Sequence, residues 1–170
     1  MLAVLTAEQK TKVVEETDRY IQLACKLYEL AFPAIDIHFD LTGHTIGMYK
    51  RLRLQRLIRY NSAVFAKYFD ENLSETIPHE VAHYIVDMRF KRKSIRPHGL
   101  QWREVMSDFG AEASRTAKYD LSDIPKRRYS TVAYSCRCQQ HELGIRRHNT
   151  LLRREAEYSC RRCGEQLKQL

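Results

Sequence analysis

No stretch of this chain approaches the roughly 18 to 20 consecutive apolar residues that a membrane-spanning helix requires. Its N-terminus, MLAVLTAEQKTKVVEE, lacks a basic segment followed by an apolar one. No signal peptide is therefore expected, and the cytoplasm is the expected location. Low-complexity tracts are absent as well. What is left is a balanced composition, 44% hydrophobic and 29% charged over 170 residues, which suits one domain with a real core plus a small appendage.

Acidic residues are scarce at one end only. Residues 126–170 carry eleven Lys and Arg against four Asp and Glu, whereas residues 1–125 carry eighteen against seventeen. Most of the formal net charge of +8 thus sits in the C-terminal quarter. A basic end without an amphipathic apolar face points to nucleic acid before membrane. The plainer reading is a solvated basic surface that aids solubility. Four of the five cysteines, Cys136, Cys138, Cys160 and Cys163, lie in the same region as two close pairs. In a reducing compartment that spacing favours metal over disulfides. Cys25 stands alone on a helical pattern and reads as a small buried hydrophobe.

Thr6 followed by Gln9 has the pattern of a capping box. Val13, Thr17, Tyr20, Ala24, Leu27 or Tyr28, and Ala31 then recur at helical spacing, predicting a helix over 7–31 that Pro33 ends. IDIHFDL (35–41) alternates at period two and reads as a half-buried strand, with TIGMYK and QRLIRYN as two more. SAVFAKYF reads as a short helix broken by DEN. A longer helix follows from about Ser74 to Phe90, with Ile77, Val81, Tyr84, Ile85 and Met88 on its apolar side. After the basic loop KRKSIRPHG, Leu100 to Phe109 form another helix, ended by Gly110. The outline is α+β. DIPKRRYS (123–130) is the best linker candidate, which divides the chain into domains 1–125 and 126–170.

Within the longer helix, PHEVAH places His79 and His83 four residues apart on one face, each able to offer a ring nitrogen to one metal ion. Glu80 is offset by about 100°, beside the metal instead of on it, where a carboxylate can take a proton from an activated water. The bland reading is a helix with surface or satisfied core histidines. Zinc at such a site needs a third protein ligand and an open fourth position. His98, in RPHGLQW, and Glu104, inside the following helix, both satisfy the spacing.

AYSCRCQQHEL (133–143) and EYSCRRCGEQL (157–167) are the same phrase written twice, with one residue missing from the first copy. Cys160-Arg-Arg-Cys163-Gly164 has the form of a zinc knuckle, in which backbone amides can donate to the thiolates. The residues between the copies are expected to form strands carrying IRRH and LLRR. The pattern predicts a zinc ribbon with a closed, structural site. Four cysteines complete it, or His141 replaces one of them, since Cys138-x-x-His141 has the knuckle length. A lobe of about 40 residues is too small to fold on apolar burial alone, so metal would supply its stability. Arg146, Arg147, Arg153 and Arg154 would make a basic face suited to phosphate. No base-reading motif accompanies them.

TIPHEVAHYIV, RPHGLQWREVM, YSCRCQQHELGIRRHN and YSCRRCGEQL, in that order, closely resemble the bacterial SprT proteins. These are relatives of the Spartan metalloproteases that degrade proteins crosslinked to DNA. The resemblance implies a zincin-like core followed by a zinc ribbon. It also implies catalytic zinc on His79, His83 and His98, with Glu80 as general base. The third ligand of the family is the histidine of HGxxW, and Glu104 is not part of that pattern. The expected activity is that of a zinc metalloendopeptidase on DNA-associated or DNA-crosslinked proteins, with single-stranded or damaged DNA as a partner. The competing expectation is a non-catalytic, nucleic-acid-binding zinc protein with a regulatory role.

Overall fold

The computed structural model describes residues 2–53, 55–90, 95–114, 118–126 and 129–170. The chain divides into two compact units, Met1–Lys126 and Arg127–Leu170, each with its own apolar core.

In the first unit, helix α1 (Ala7–Tyr28) starts at the expected capping box. The Thr6 hydroxyl accepts the Gln9 amide at 3.2 Å, and the Gln9 side chain accepts the Thr6 amide at 3.0 Å. Val13, Thr17, Tyr20, Ile21 and Ala24 face the core. The helix stops three residues before Ala31. Glu29 adopts a left-handed φ of 52°, and the chain reverses to bury Phe32, whose amide donates to the Cys25 sulfur at 3.3 Å. Cys25 is therefore half-buried and closes a turn as well as filling space.

Strands β1 (Asp36–His38), β2 (Gly47–Arg51) and β3 (Arg56–Tyr60) form one sheet in the order β1-β3-β2, with β1 parallel and β2 antiparallel to the central strand. The register pairs Tyr49 with Ile58. The Asn61 amide reaches the Ile46 carbonyl and the Leu52 amide the Gln55 carbonyl, which turns the main-chain groups of even-numbered residues toward β3. Those of Gly47, Tyr49 and Arg51 face outward from this edge strand.

Asn61 caps helix α2 (Ser62–Lys67). DEN does not break the helical run. Helix α3 (Phe69–Glu71) continues through a π-helical turn (Asn72–Thr76) into α4 (Ile77–Arg89). The reason is Asn72, which is fully buried and satisfied within the helix. Its side-chain amide donates to the Tyr68 carbonyl at 2.6 Å, and its oxygen accepts the Thr76 hydroxyl at 2.7 Å. One wide turn accommodates it just before the metal-site motif, a common place for π-bulges. Helix α4 buries Ile77, Val81, Tyr84 and Ile85 and packs against α1 and α5 (Leu100–Asp108). Residues 91–94 of the basic loop and 127–128 of the linker lie outside the described residues.

The second unit contains β4 (Thr131–Cys136), β5 (Gln139–Gly144), α6 (Ile145–Leu152) and β6 (Lys168–Gln169), with its sheet ordered β5-β4-β6. Both copies of the cysteine phrase form hairpins, paired at Cys136–Gln139 and Ser159–Gln166. Between them the expected strand for IRRH is instead helix α6. Ile145, His148 and Leu151 recur every three residues. His148 Nδ1 lies 2.9 Å from the Tyr134 hydroxyl, and Leu151 packs on the small core. Among the described residues, no helix is long and apolar enough to cross a membrane.

Candidate metal centre and cleft

His79 and His83 stand one turn apart on α4, and His98 reaches them from the loop that starts α5. To do so His98 takes a left-handed φ of 55°. Gly99 then folds back so tightly that a Cβ there would lie 2.9 Å from the Arg96 carbonyl oxygen. Left-handed backbone at a non-glycine residue is costly and persists where the surroundings enforce it. The result is convergence: the Nε2 atom of His98 lies 3.0 Å from that of His79 and 3.1 Å from that of His83. Four-coordinate zinc at about 2.0–2.1 Å would space neighbouring nitrogens by roughly 3.3 Å, so these three stand near the spacing of a shared ion. Glu104, the other candidate, is exposed on α5 and outside this cluster.

Two of the rings are held as neutral donors. Burial, and then the neighbouring His98, push the His79 pKa down to about 4. Burial with both neighbouring imidazoles pushes that of His83 down to about 3. The His79 ring also hydrogen-bonds the Ser114 backbone, leaving its other nitrogen for the cluster. Trp102 lies against all three rings, with centroids 4.7 Å from His79, 5.7 Å from His83 and 4.8 Å from His98. The chemistry of the donor set fits zinc with a position left open.

Glu80 is 7% exposed and stands outside the ligand cluster. Its Oε2 accepts the outward-facing Tyr49 amide of β2 at 2.6 Å. Burial pushes its pKa up to about 7, against the pull of that amide. A carboxylate with a pKa in this range is suited to proton transfer near neutrality. His79, Glu80 and His98 form part of the wall of a cavity of about 460 Å³, which Glu75, Glu112 and Lys118 also line.

Cys136, Cys138, Cys160 and Cys163 bring their sulfurs within 4.8 Å of one another. The Cys136–Cys138 and Cys138–Cys160 separations are 3.4 and 3.7 Å, near the roughly 3.8 Å that tetrahedral zinc at about 2.3 Å from each sulfur would set. His141 Nε2 approaches Cys136 at 3.3 Å and is not a member of the four-sulfur group. The backbone amides of Cys163 and Arg162 pull the Cys160 pKa down to about 6, as the knuckle expectation requires. Arg146 and Arg147 sit on α6. Arg153 follows it and pairs with Glu155 at 2.8 Å, and Arg154 has a left-handed φ of 56°.

The sequence reading gave no role to Trp102, the last residue of HGxxW, or to Gly47, Tyr49 and Asp87. The one available signal was Trp102, the single tryptophan, four residues after His98. The other three act through contacts some thirty or more residues away in sequence.

A metal site seated on one H-E-x-x-H helix and completed by a later histidine is the zincin arrangement, and the first unit is a zincin-like α+β domain with a ribbon-type cysteine cluster after it. The chain belongs to the SprT-like family, whose model matches residues 17–122. It is 37% identical over 150 residues to Protein SprT of Yersinia pseudotuberculosis serotype IB, covering 88% of this chain and 84% of that one. To Protein SprT of Vibrio parahaemolyticus it is 39% identical over 148 residues, 86% of each chain. To that of Klebsiella pneumoniae it is 42% identical over 111 residues, 65% of this chain and 64% of the relative. No solved structure matches the chain at a significant level.

Proposed function

We propose that this protein is a zinc-dependent metalloendopeptidase acting on DNA-associated proteins, crosslinked ones included. Residues 1–125 form its catalytic domain and 126–170 its zinc-ribbon domain. One observation carries the reading: three imidazole nitrogens converge beside a cleft whose wall includes His79, His98 and the buried Glu80 carboxylate. A purely structural metal site has no use for such a carboxylate.

His79, His83 and His98 would hold zinc, which when bound would supply Lewis acidity and make a water acidic enough to deprotonate near neutrality. Glu80 accepts a proton from the attacking water and delivers it to the leaving amine. Apart from the Tyr49 amide, which Glu80 takes, the outward edge of β2 offers main-chain groups along which an extended substrate can lie. The second zinc, held by the four cysteines, is structural. Arg146, Arg147, Arg153 and Arg154 contact phosphates of single-stranded or damaged DNA, and the protein works in the cytoplasm.

The test compares the zinc-loaded protein with its Glu80→Gln variant, with and without single-stranded DNA, following cleavage of a DNA-bound protein and of the enzyme itself. DNA-stimulated fragments from the wild type alone are expected. Equal DNA binding with no cleavage by either protein would replace the peptidase by a nucleic-acid-binding regulator.

A further inference from the structure

The close approach of β2 to α4 bears on how the carboxylate is aimed. Gly47 and Tyr49 present their main-chain groups away from β3, on the free edge of the sheet. The Tyr49 amide on that edge is spent on Glu80 Oε2 at 2.6 Å. Two residues earlier, a Cβ on Gly47 would lie 2.8 Å from Glu80 Cγ, 2.8 Å from Glu80 Oε1 and 2.8 Å from Thr76 Cγ2. Atoms at that separation overlap, so the absence of a side chain at Gly47 is what lets the strand close over the glutamate. Glu80 is thus confined by the Gly47 backbone on one side and tethered by the Tyr49 amide on the other.

We infer that Gly47 and the Tyr49 amide are positioning elements for Glu80: the edge strand holds the carboxylate in one orientation, and any side chain at 47 turns it away. The inference rests on the reading of Glu80 as general base. Neither element touches substrate or metal in this role. A methyl group at 47 must displace Glu80 from the amide, push Thr76 aside, or both. Thr76→Ser removes the methyl on that flank while keeping the hydroxyl that donates to Asn72 at 2.7 Å, so it relieves part of the overlap.

The experiment uses the full-length, zinc-loaded protein with two readouts at one fixed pH. The first is amide hydrogen exchange at Met48, Tyr49 and Lys50. In the wild type the Tyr49 amide, which has no ladder partner, is expected to be protected at least tenfold, and Glu80→Ala should remove that protection while sparing its two neighbours. Gly47→Ala should do the same. The second readout is steady-state cleavage of a DNA-bound protein. Gly47→Ala should lower kcat about 100-fold, the low end of a general base's contribution, with KM within twofold and zinc content unchanged. Adding Thr76→Ser should restore roughly tenfold of the loss. Wild-type protection at Tyr49 in Gly47→Ala would overturn the inference. So would a loss spread equally over Met48 and Lys50, because the glycine would then serve the strand and not the glutamate. If the wild type cleaves nothing, the peptidase reading fails by itself, and the exchange pattern still decides whether Gly47 and Tyr49 place Glu80.

Discussion

The indole N–H of Trp102 donates to the backbone carbonyl of His79 at 3.3 Å, while its ring meets the His79 imidazole edge-on at 4.7 Å. One side chain therefore fixes both the helix turn that carries the first histidine and the plane of that histidine. Trp102→Phe keeps an apolar ring and deletes the donor. It should weaken zinc binding at the histidine site about tenfold, the lower end for loss of a supporting contact. Competition with a chromophoric chelator measures this. Because Trp102 is the only tryptophan, Co²⁺ should quench the intrinsic tryptophan emission of the wild type and not that of His98→Ala. Unchanged affinity in Trp102→Phe would reduce Trp102 to core packing.

Asp87, two turns beyond His79 on α4, ties that helix to the sheet. Its carboxylate accepts the Tyr49 hydroxyl at 2.8 Å, Arg56 Nε at 2.8 Å and Arg51 at 3.0 Å. The Asp87 side chain is 8% exposed, and the two guanidinium side chains remain 34% and 31% exposed. Removing one partner of a buried pair typically costs 3–5 kcal/mol, and partial solvent screening here brings Asp87→Ala to about 2–3 kcal/mol. Thermal unfolding should show the melting temperature falling by roughly 5–10 °C.

The same carboxylate sets a pH dependence. Burial alone would raise its pKa, and the hydrogen bonds from Arg56, Tyr49 and Arg51 outweigh that and hold it below the ordinary range. The unfolded chain, with an aspartate pKa near 3.9, is then the state that binds the proton first as pH falls. Asp87 therefore contributes fully above about pH 5, and its contribution is lost as pH drops through the lower folded value. Urea titrations of wild type and Asp87→Asn should converge as pH falls from 5 toward 3. Parallel curves would remove Asp87 from the acid response.

Among the described residues, the buried core of the second unit is Tyr134, Leu143, Cys160 and Leu167. That is too little apolar surface to hold about 40 residues, so metal should supply the balance. Stripping zinc with a strong chelator, or making Cys160→Ser, should collapse the amide dispersion of residues 129–170 in the full chain. Signals from Val13, Ile58 and Val81 in the first core should stay dispersed. A retained ribbon spectrum without metal would refute the dependence.

What could be read from the chain was local. His79 and His83 share a helix, so their spacing already placed them together, and the doubled cysteine phrase marked a ribbon with a closed site. The third ligand was different. Both His98 and Glu104 suited the spacing, and only the family resemblance favoured His98; the left-handed backbone at His98 and the solvent-facing position of Glu104 give the physical reason. The wide turn at Asn72 was hidden because asparagine usually signals a break, and here its side chain finds partners inside the helix. IRRHNTLL was misread because the ribbon pattern suggested strands, although Ile145, His148 and Leu151 have helical spacing. The Tyr49–Glu80 tether spans 31 residues, and no local pattern marks it.

Helix α6 changes what to expect of the basic residues. Arg146 and Arg147 lie on the helix, with the Arg147 guanidinium 5.9 Å from the Tyr158 ring, whereas Arg153 is engaged by Glu155 at 2.8 and 3.0 Å. An arginine that contacts a phosphate contributes about 0.7 to the slope of log affinity against log salt on single-stranded DNA. Arg146→Ala and Arg147→Ala should each lower the slope by about that amount, measured by fluorescence anisotropy across a salt series. Arg153→Ala should lower it less, because its charge is already partly neutralised. Lysine at 146 or 147 should largely preserve the slope, since the term depends on charge and not on fork geometry. If all three alanine variants keep the wild-type slope, DNA is bound elsewhere or not at all, and the basic surplus serves solubility.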